Sequence, residues 1–331
     1  MDFYNQRYDG IQALRGIAAL SVLINHIAFV GCGGFGVDIF FCISGFIMMY
    51  VTANDSKYFF VKRLIRIIPL YYLITFVAFL GMVLVPAAFE NASADMTGLM
   101  RSLLFIPFDN GGALQPYVRV GWTLNYEMFF YVIVWVALRI NSKYRAFLAS
   151  FFIIGLVTFG RLFSIDHALF TFYTDPILIE FVFGMMAYEL LRLNEEKYTE
   201  CGKTEKIVLL SVAALFFAVM WIPGYYDISG DLRYLWYGVP GLLIFCFVFM
   251  ACYKTTIPRV FVWLGDISFS LYLIHYFIIR VYNRFIYDGN GINLSAVIML
   301  ILFIALILAL STISYNIFEK KLTSFFRKCF K

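Results

Sequence analysis

Arg15 and His26 stand eleven positions apart in an otherwise apolar stretch near the start of the chain. On an α-helix eleven residues make three turns plus about 20°, so both side chains would share one face, roughly 16 Å apart along the axis. An imidazole is the side chain that exchanges protons near neutrality. A guanidinium grips phosphate or carboxylate with a planar fork. Later apolar stretches bring carboxylates, among them Asp38 in Gly36-Val37-Asp38-Ile39-Phe40-Phe41 and Glu127 in Gly121-Trp122-Thr123-Leu124-Asn125-Tyr126-Glu127. A carboxylate beside a histidine fixes its tautomer and raises its basicity, so that the other ring nitrogen can take a proton from an attacking hydroxyl. His26, Glu127 and Asp38 are therefore the candidate catalytic set. The competing structural reading makes them hydrogen bonds that tie helices together.

A second cluster is basic. Lys62, Arg63 and Arg66 precede Ile67-Ile68-Pro69-Leu70-Tyr71-Tyr72. Such a cluster at a helix end can simply anchor to anionic lipid. Arg63 and Arg66, three apart, would also present neighbouring forks to a phosphate. Arg15, Arg63, Arg66, Lys62 and Tyr71 are the expected grip on a phosphorylated co-substrate, with coenzyme A matching the shape: phosphates at one end, a thin arm reaching toward His26. Asn25, Trp122 and His275, the last in Ser268-Phe269-Ser270-Leu271-Tyr272-Leu273-Ile274-His275, are the candidates for contact with the second substrate.

The elements that carry these groups follow from composition. Of 331 residues, 62% are hydrophobic and only 14% charged, far from the balance of a soluble globule. The 26 Lys and Arg against 21 Asp and Glu give a net charge of +5, too little for a nucleic-acid partner. A bilayer core takes about 20 apolar residues per helix. Ten spans are expected: Ile11–Val30, Phe35–Val51, Ile68–Phe89, Trp122–Leu138, Phe147–Phe163, Leu178–Leu191, Ile207–Ile222, Leu235–Cys252, Val262–Ile279 and Leu294–Ile317. With the N-terminus cytoplasmic, 20 of the 26 basic residues fall on the cytoplasmic side, as the positive-inside rule asks, and the C-terminus is then cytoplasmic too. Asp38 and Glu127 then lie in the outer halves of their spans, at a depth similar to His26. Tyr71, Tyr72, Trp122 and Trp263 read as an interfacial aromatic belt. The long stretches Glu90–Gly121 and Arg192–Lys206 read as loops. Residues Asp2 to Gln12 lack the basic start of a cleavable signal. The six cysteines show no CxxC spacing, which speaks against a disulfide framework or a zinc site. Asn91-Ala92-Ser93 has the spacing of a glycosylation sequon.

Together these residues resemble the acyltransferase-3 family of integral membrane acyltransferases, nearest its bacterial branch that O-acetylates exopolysaccharide, capsule or O-antigen sugars. The resemblance rests on Arg15 and His26; on Gly36 to Phe41 with Ile43-Ser44-Gly45-Phe46; on Arg63-Leu64-Ile65-Arg66 with Ile67-Ile68-Pro69-Leu70-Tyr71; on Trp122-Thr123-Leu124 with Glu127 and Phe130-Tyr131; and on Ser268 to Tyr272 with His275. Cys42 stands where the family commonly has Val. The resemblance implies an all-α, ten-helix transmembrane bundle in the bacterial inner membrane. Many of the family carry a further soluble domain, but the sequence after the last expected span is short, so a single domain over 1–331 without a further soluble domain is expected. It implies acetyl transfer from acetyl-CoA, without a metal, to a sugar hydroxyl of a polysaccharide or its lipid-linked precursor. His26 matches the family's essential histidine, and Arg15, Arg63 and Arg66 its donor-binding arginines. Direct transfer and a route through an acyl-histidine both fit. The alternative from the intramembrane His, Asp and Glu alone is a proton-coupled transporter or flippase.

Overall fold

The structure, a computed structural model, describes residues 7–54, 56–86, 94–163, 165–226, 232–287 and 293–328. The sequon at Asn91 lies outside them. The described chain is helical, with one isolated bridge pairing Asp109 and Leu114. The helices are α1 (Asp9–Asn25), α2 (Gly36–Asn54), α3 (Phe59–Leu84), α4 (Met96–Leu103), α5 (Trp122–Ile140), α6 (Arg145–Leu162), α7 (Ala168–Tyr173) and α8 (Ile179–Leu193). They continue as α9 (Glu195–Thr199), α10 (Lys203–Val219), α11 (Trp221–Tyr226), α12 (Val239–Cys252), α13 (Arg259–Asp266), α14 (Ser268–Phe285), α15 (Leu294–Ser314) and α16 (Thr323–Lys328).

Among the described residues seven helices are long and apolar enough to cross a membrane, or eight with the α13–α14 pair as one span. Ten were expected from the sequence. The two remaining expected spans correspond to α1 and α8, of 17 and 15 residues, shorter than the roughly 20 residues of a typical spanning helix. Three expectations need correction. The third helix starts at Phe59 and ends at Leu84 instead of running from Ile68 to Phe89. Lys62, Arg63 and Arg66 therefore lie inside it, since basic residues are good helix formers, and Pro86 closes it by disfavouring helical backbone at Val85. The ninth span is not straight: α13 and α14 meet at 68°. Ser268 Oγ donates to the Gly265 carbonyl at 2.8 Å, which satisfies an acceptor freed by the bend. The stretch expected as a loop, Glu90–Gly121, holds α4, capped by Asp95, whose Oδ1 accepts from the Gly98 amide at 2.7 Å.

The chain gathers into two compact units, Met1–Ser56 with Pro176–Thr312, and Lys57–Asp175 with Ile313–Lys331. In the first, α2 lies along α8 and α1 along α13. Helices in lipid gain nothing from hydrophobic exclusion of one another and associate through close packing, which small residues permit. Gly45 of α2 and Gly184 of α8 do this: a Cβ on either would strike backbone of the other helix. At one end of this unit Phe46, fully buried, is ringed by Tyr8, Tyr50, Tyr188, Phe245 and Phe249, with centroids 5.0–6.4 Å away. Arg7 pairs with Asp266 at the α13–α14 break, 2.5 Å, and so ties the bend to the start of α1.

In the second unit Tyr71 is fully buried, not an interfacial belt residue. Its hydroxyl donates to the Ser102 carbonyl at 3.0 Å and its ring stacks on Phe105 at 4.7 Å. The reason is local: α4 folds back over α3 and brings an acceptor and an aromatic partner to it.

Candidate active site

The first unit holds a histidine pair. α1 ends at Asn25, and His26 is its C-cap, in αR conformation at φ −87°, ψ −2°. The His26 ring turns back along its own helix, so that Nδ1 lies 2.8 Å from the Val22 carbonyl oxygen. A carbonyl only accepts, so His26 Nδ1 carries the proton. His275, on α14 and fully buried, places its Nδ1 3.0 Å from the Leu271 carbonyl. The same logic puts a proton on that nitrogen and leaves a lone pair on His275 Nε2. That lone pair faces His26 Nδ1 at 3.3 Å. His26 Nδ1–H is thus shared between Val22 and His275. His26 Nε2 is left as the basic nitrogen, with no hydrogen bond among the described residues.

α14 holds His26 at a second point. Asn283 Nδ2 donates to the His26 carbonyl at 2.7 Å, and Asn283 Oδ1 accepts from the Ala28 amide at 3.2 Å. One side chain thereby serves two of the backbone groups that the helix end leaves unpaired. Tyr276, the residue after His275 on α14, meets the His26 ring edge-to-face at 5.4 Å and 88°. Its hydroxyl accepts from Arg280 Nη1 at 3.0 Å.

The turn after α1 is bound to the same region. Gly33, at φ +114°, takes a conformation that other residues adopt only at a cost, and a Cβ there would collide with the Ser21 carbonyl. Asn25 Oδ1 accepts from the Gly34 amide at 3.1 Å. Arg233 donates to the Gly34 carbonyl at 3.4 Å and grips Asp38 with both arms, Nε to Oδ1 at 3.0 Å and Nη2 to Oδ2 at 2.6 Å. The Asp38 carboxylate, fully buried in the first turn of α2, is therefore engaged by Arg233. The partners that fix the His26 tautomer in this unit are Val22 and His275. Glu180, also fully buried on α8, lies against Gly238 and interacts electrostatically with Arg233. A π-helical turn, Tyr234–Gly238, follows Arg233; such turns recur at functional sites. Arg15 is half-buried on α1.

The second unit carries the other candidates. Lys62, Arg63 and Arg66 are half-buried on the first two turns of α3. Glu127, half-buried on α5, accepts from the hydroxyl of Tyr131 one turn on. Tyr131 is buried within electrostatic reach of Arg63 and Arg66. Glu127, Tyr131 and the two arginines thus form one neighbourhood. Trp122 is half-buried and edge-to-face with Tyr126 at 5.8 Å. Among the described residues no three His, Cys, Asp or Glu side chains converge as a metal site would need.

Sequence reasoning missed Arg233, Asn283, Tyr276, Arg280 and Glu180; Tyr131 it held only as part of the motif with Glu127. Only Glu180 carried a local signal, an acid within the apolar Leu178-Ile179-Glu180-Phe181, by the argument that singled out Asp38.

The model of the acyltransferase-3 family, described as an acyltransferase domain, matches residues 8–315. The chain belongs to that family. It is 32% identical over 270 residues to the exopolysaccharide production protein ExoZ of Rhizobium meliloti (strain 1021), covering 80% of this chain and 81% of that one. It is 24% identical over 319 residues to a protein of Staphylococcus aureus (strain COL) named "Putative O-acetyltransferase", covering 85% of this chain but 52% of that one. A protein of Acidianus two-tailed virus named "Putative acetyltransferase" is 26% identical over 283 residues, covering 80% and 81%. No solved structure matches. The chain is an acyltransferase of the exopolysaccharide and O-acetyltransferase branch of its family.

Proposed function

We propose that this acyltransferase moves an acetyl group from cytoplasmic acetyl-CoA to a sugar hydroxyl of a cell-surface polysaccharide or its lipid-linked precursor, within the bacterial inner membrane. The observation that carries the reading is the His26 tautomer: the Nδ1 proton is held by Val22 and His275, which leaves Nε2 basic. His26 Nε2 takes the proton of the acceptor hydroxyl as its oxygen attacks the thioester carbonyl. The imidazolium so formed keeps both Nδ1 acceptors, and a hydrogen bond from a charged donor is stronger than one from a neutral donor. The positive charge is thereby stabilised as it develops.

The donor's phosphates fall to Arg63, Arg66, Lys62 and Arg15. Arginine suits them because its fork meets two phosphate oxygens at once. Glu127, bonded to Tyr131 beside Arg63 and Arg66, serves the donor end in this reading by fixing the neighbourhood of those arginines. Asn25 and Trp122 are assigned to the acceptor. Asp38 and Tyr71 act through the fold, Asp38 by anchoring Arg233 and Tyr71 by anchoring α4. Membrane lipids surround the apolar helices, and no nucleic acid or metal enters the reaction.

The test uses membrane vesicles carrying the full chain and radiolabelled acetyl-CoA, with label in glycan and release of CoA thiol as readouts. His26→Ala should abolish both while the protein still inserts. Arg63→Ala with Arg66→Ala should raise the KM for acetyl-CoA at least tenfold. Turnover by His26→Ala, or an unchanged KM in the double variant, would refute the corresponding assignment. Transport of glycan without thiol release would favour a flippase.

A further inference from the structure

Attack on a thioester carbonyl pushes an electron pair onto its oxygen, and donors aimed at that charge supply much of the rate enhancement in acyl transfer. The side chains around His26 differ in what they have left to donate. Asn283 spends both ends of its amide on backbone. His275 spends Nδ1–H on Leu271 and offers His26 only a lone pair. Asn25 holds the Gly34 amide with its oxygen and retains a neutral amide donor. Tyr276 is different. Its ring stands against that of His26, its oxygen accepts from the Arg280 guanidinium, and its own O–H proton has no acceptor among the described residues. A phenol that accepts from a cation is polarised into a stronger donor.

We infer that Tyr276, polarised by Arg280, donates the hydrogen bond that stabilises the oxyanion of the tetrahedral intermediate. Tyr276 is then a catalytic residue and Arg280 a positioning residue. The inference rests on His26 being the base. In the step, the acceptor oxygen loses its proton to His26 Nε2 and forms a bond to the carbonyl carbon. The π pair moves to the carbonyl oxygen under the Tyr276 O–H. The pair then returns, the carbon–sulfur bond breaks, and the leaving thiolate takes the proton from His26. Ester and free CoA thiol are the products.

The same vesicles and radiolabelled acetyl-CoA test it. Tyr276→Phe keeps the ring against His26 and removes only the hydroxyl. It should lower kcat about 100-fold, in the range of losing one oxyanion donor, with KM values within about twofold of wild type and unchanged thermal unfolding. Arg280→Met should lower kcat by a smaller factor, about tenfold, and add little when combined with Tyr276→Phe, since it acts through that hydroxyl. A kcat for Tyr276→Phe within twofold of wild type overturns the inference. So does a full loss in Asn25→Ala with none in Tyr276→Phe, which would pass the role to Asn25. No thiol release by the wild-type chain would instead refute acetyl-CoA as donor, and activity in His26→Ala would refute the base. Neither of those results looks like the failure of Tyr276 alone.

Discussion

The contact between two neutral imidazoles has a cost that can be worked out. His275 Nε2 receives a share of the His26 Nδ1 proton at 3.3 Å, longer than the 2.8 Å bond to Val22. While His26 is neutral, such a bond contributes about 0.5–1.5 kcal/mol; once His26 carries a second proton, the figure rises to about 1.5–3 kcal/mol. Only the difference, on the order of 1–1.5 kcal/mol, acts on the transition state and not on the resting enzyme. Each 1.36 kcal/mol is about a factor of ten in rate. His275→Phe keeps a planar ring in a fully buried position and removes the lone pair, so kcat should fall about tenfold with the KM for acetyl-CoA unchanged. His275→Gln, which can offer a side-chain carbonyl, should recover part of the loss. Steady-state thiol release over a range of donor and acceptor concentrations separates the two parameters. A change confined to the acceptor KM would make His275 a substrate contact and refute the reasoning, as would a kcat within twofold of wild type.

Two other perturbations follow from the same geometry. Asp38→Asn leaves the Arg233 guanidinium without its carboxylate; breaking a buried pair costs about 3–5 kcal/mol, and since the Arg233 side chain is one-third exposed a loss of about 2–3 kcal/mol is expected. It would be read as a lowered Tm of the purified chain in detergent, and an unchanged Tm would mean that the pair contributes nothing. Asn283→Leu removes both clamps on the end of α1, so kcat should fall tenfold or more while acetyl-CoA still binds with near-normal affinity. Loss of binding in that variant would assign Asn283 to the donor site.

The family and the helical class were legible because both are written locally. Apolar stretches are read from hydropathy alone, and costly polar groups such as His26, Asp38 and Glu127 stand out against them. The partners of those groups were not legible, because partnership is set by which helices meet. Asp38 looked like a carboxylate awaiting a histidine. It faces Arg233, 195 positions further on, at the edge of an apolar run where a basic residue reads as a topology signal. His275 looked like a substrate contact, and only the 68° break between α13 and α14, held by Ser268 and the Arg7–Asp266 pair, orients α14 so that His275 and Asn283 both reach His26.

In the proposed reaction, that break brings His26 the partner that a carboxylate would otherwise provide. Triads use an acid behind the histidine because it accepts the Nδ1 proton and stabilises the imidazolium. A backbone carbonyl and a neutral imidazole do the first as well, and the second without burying a further charge that the surroundings must compensate. In that proposal a thioester donor suits the arrangement, because thiolate is a better leaving group than alkoxide or amide and asks less of the acid that assists its departure. On the proposed mechanism, a neutral pair is thus matched to an activated donor. Replacing His275 by Asp would bring a charge into a fully buried position, where the desolvation penalty opposes the gain in basicity.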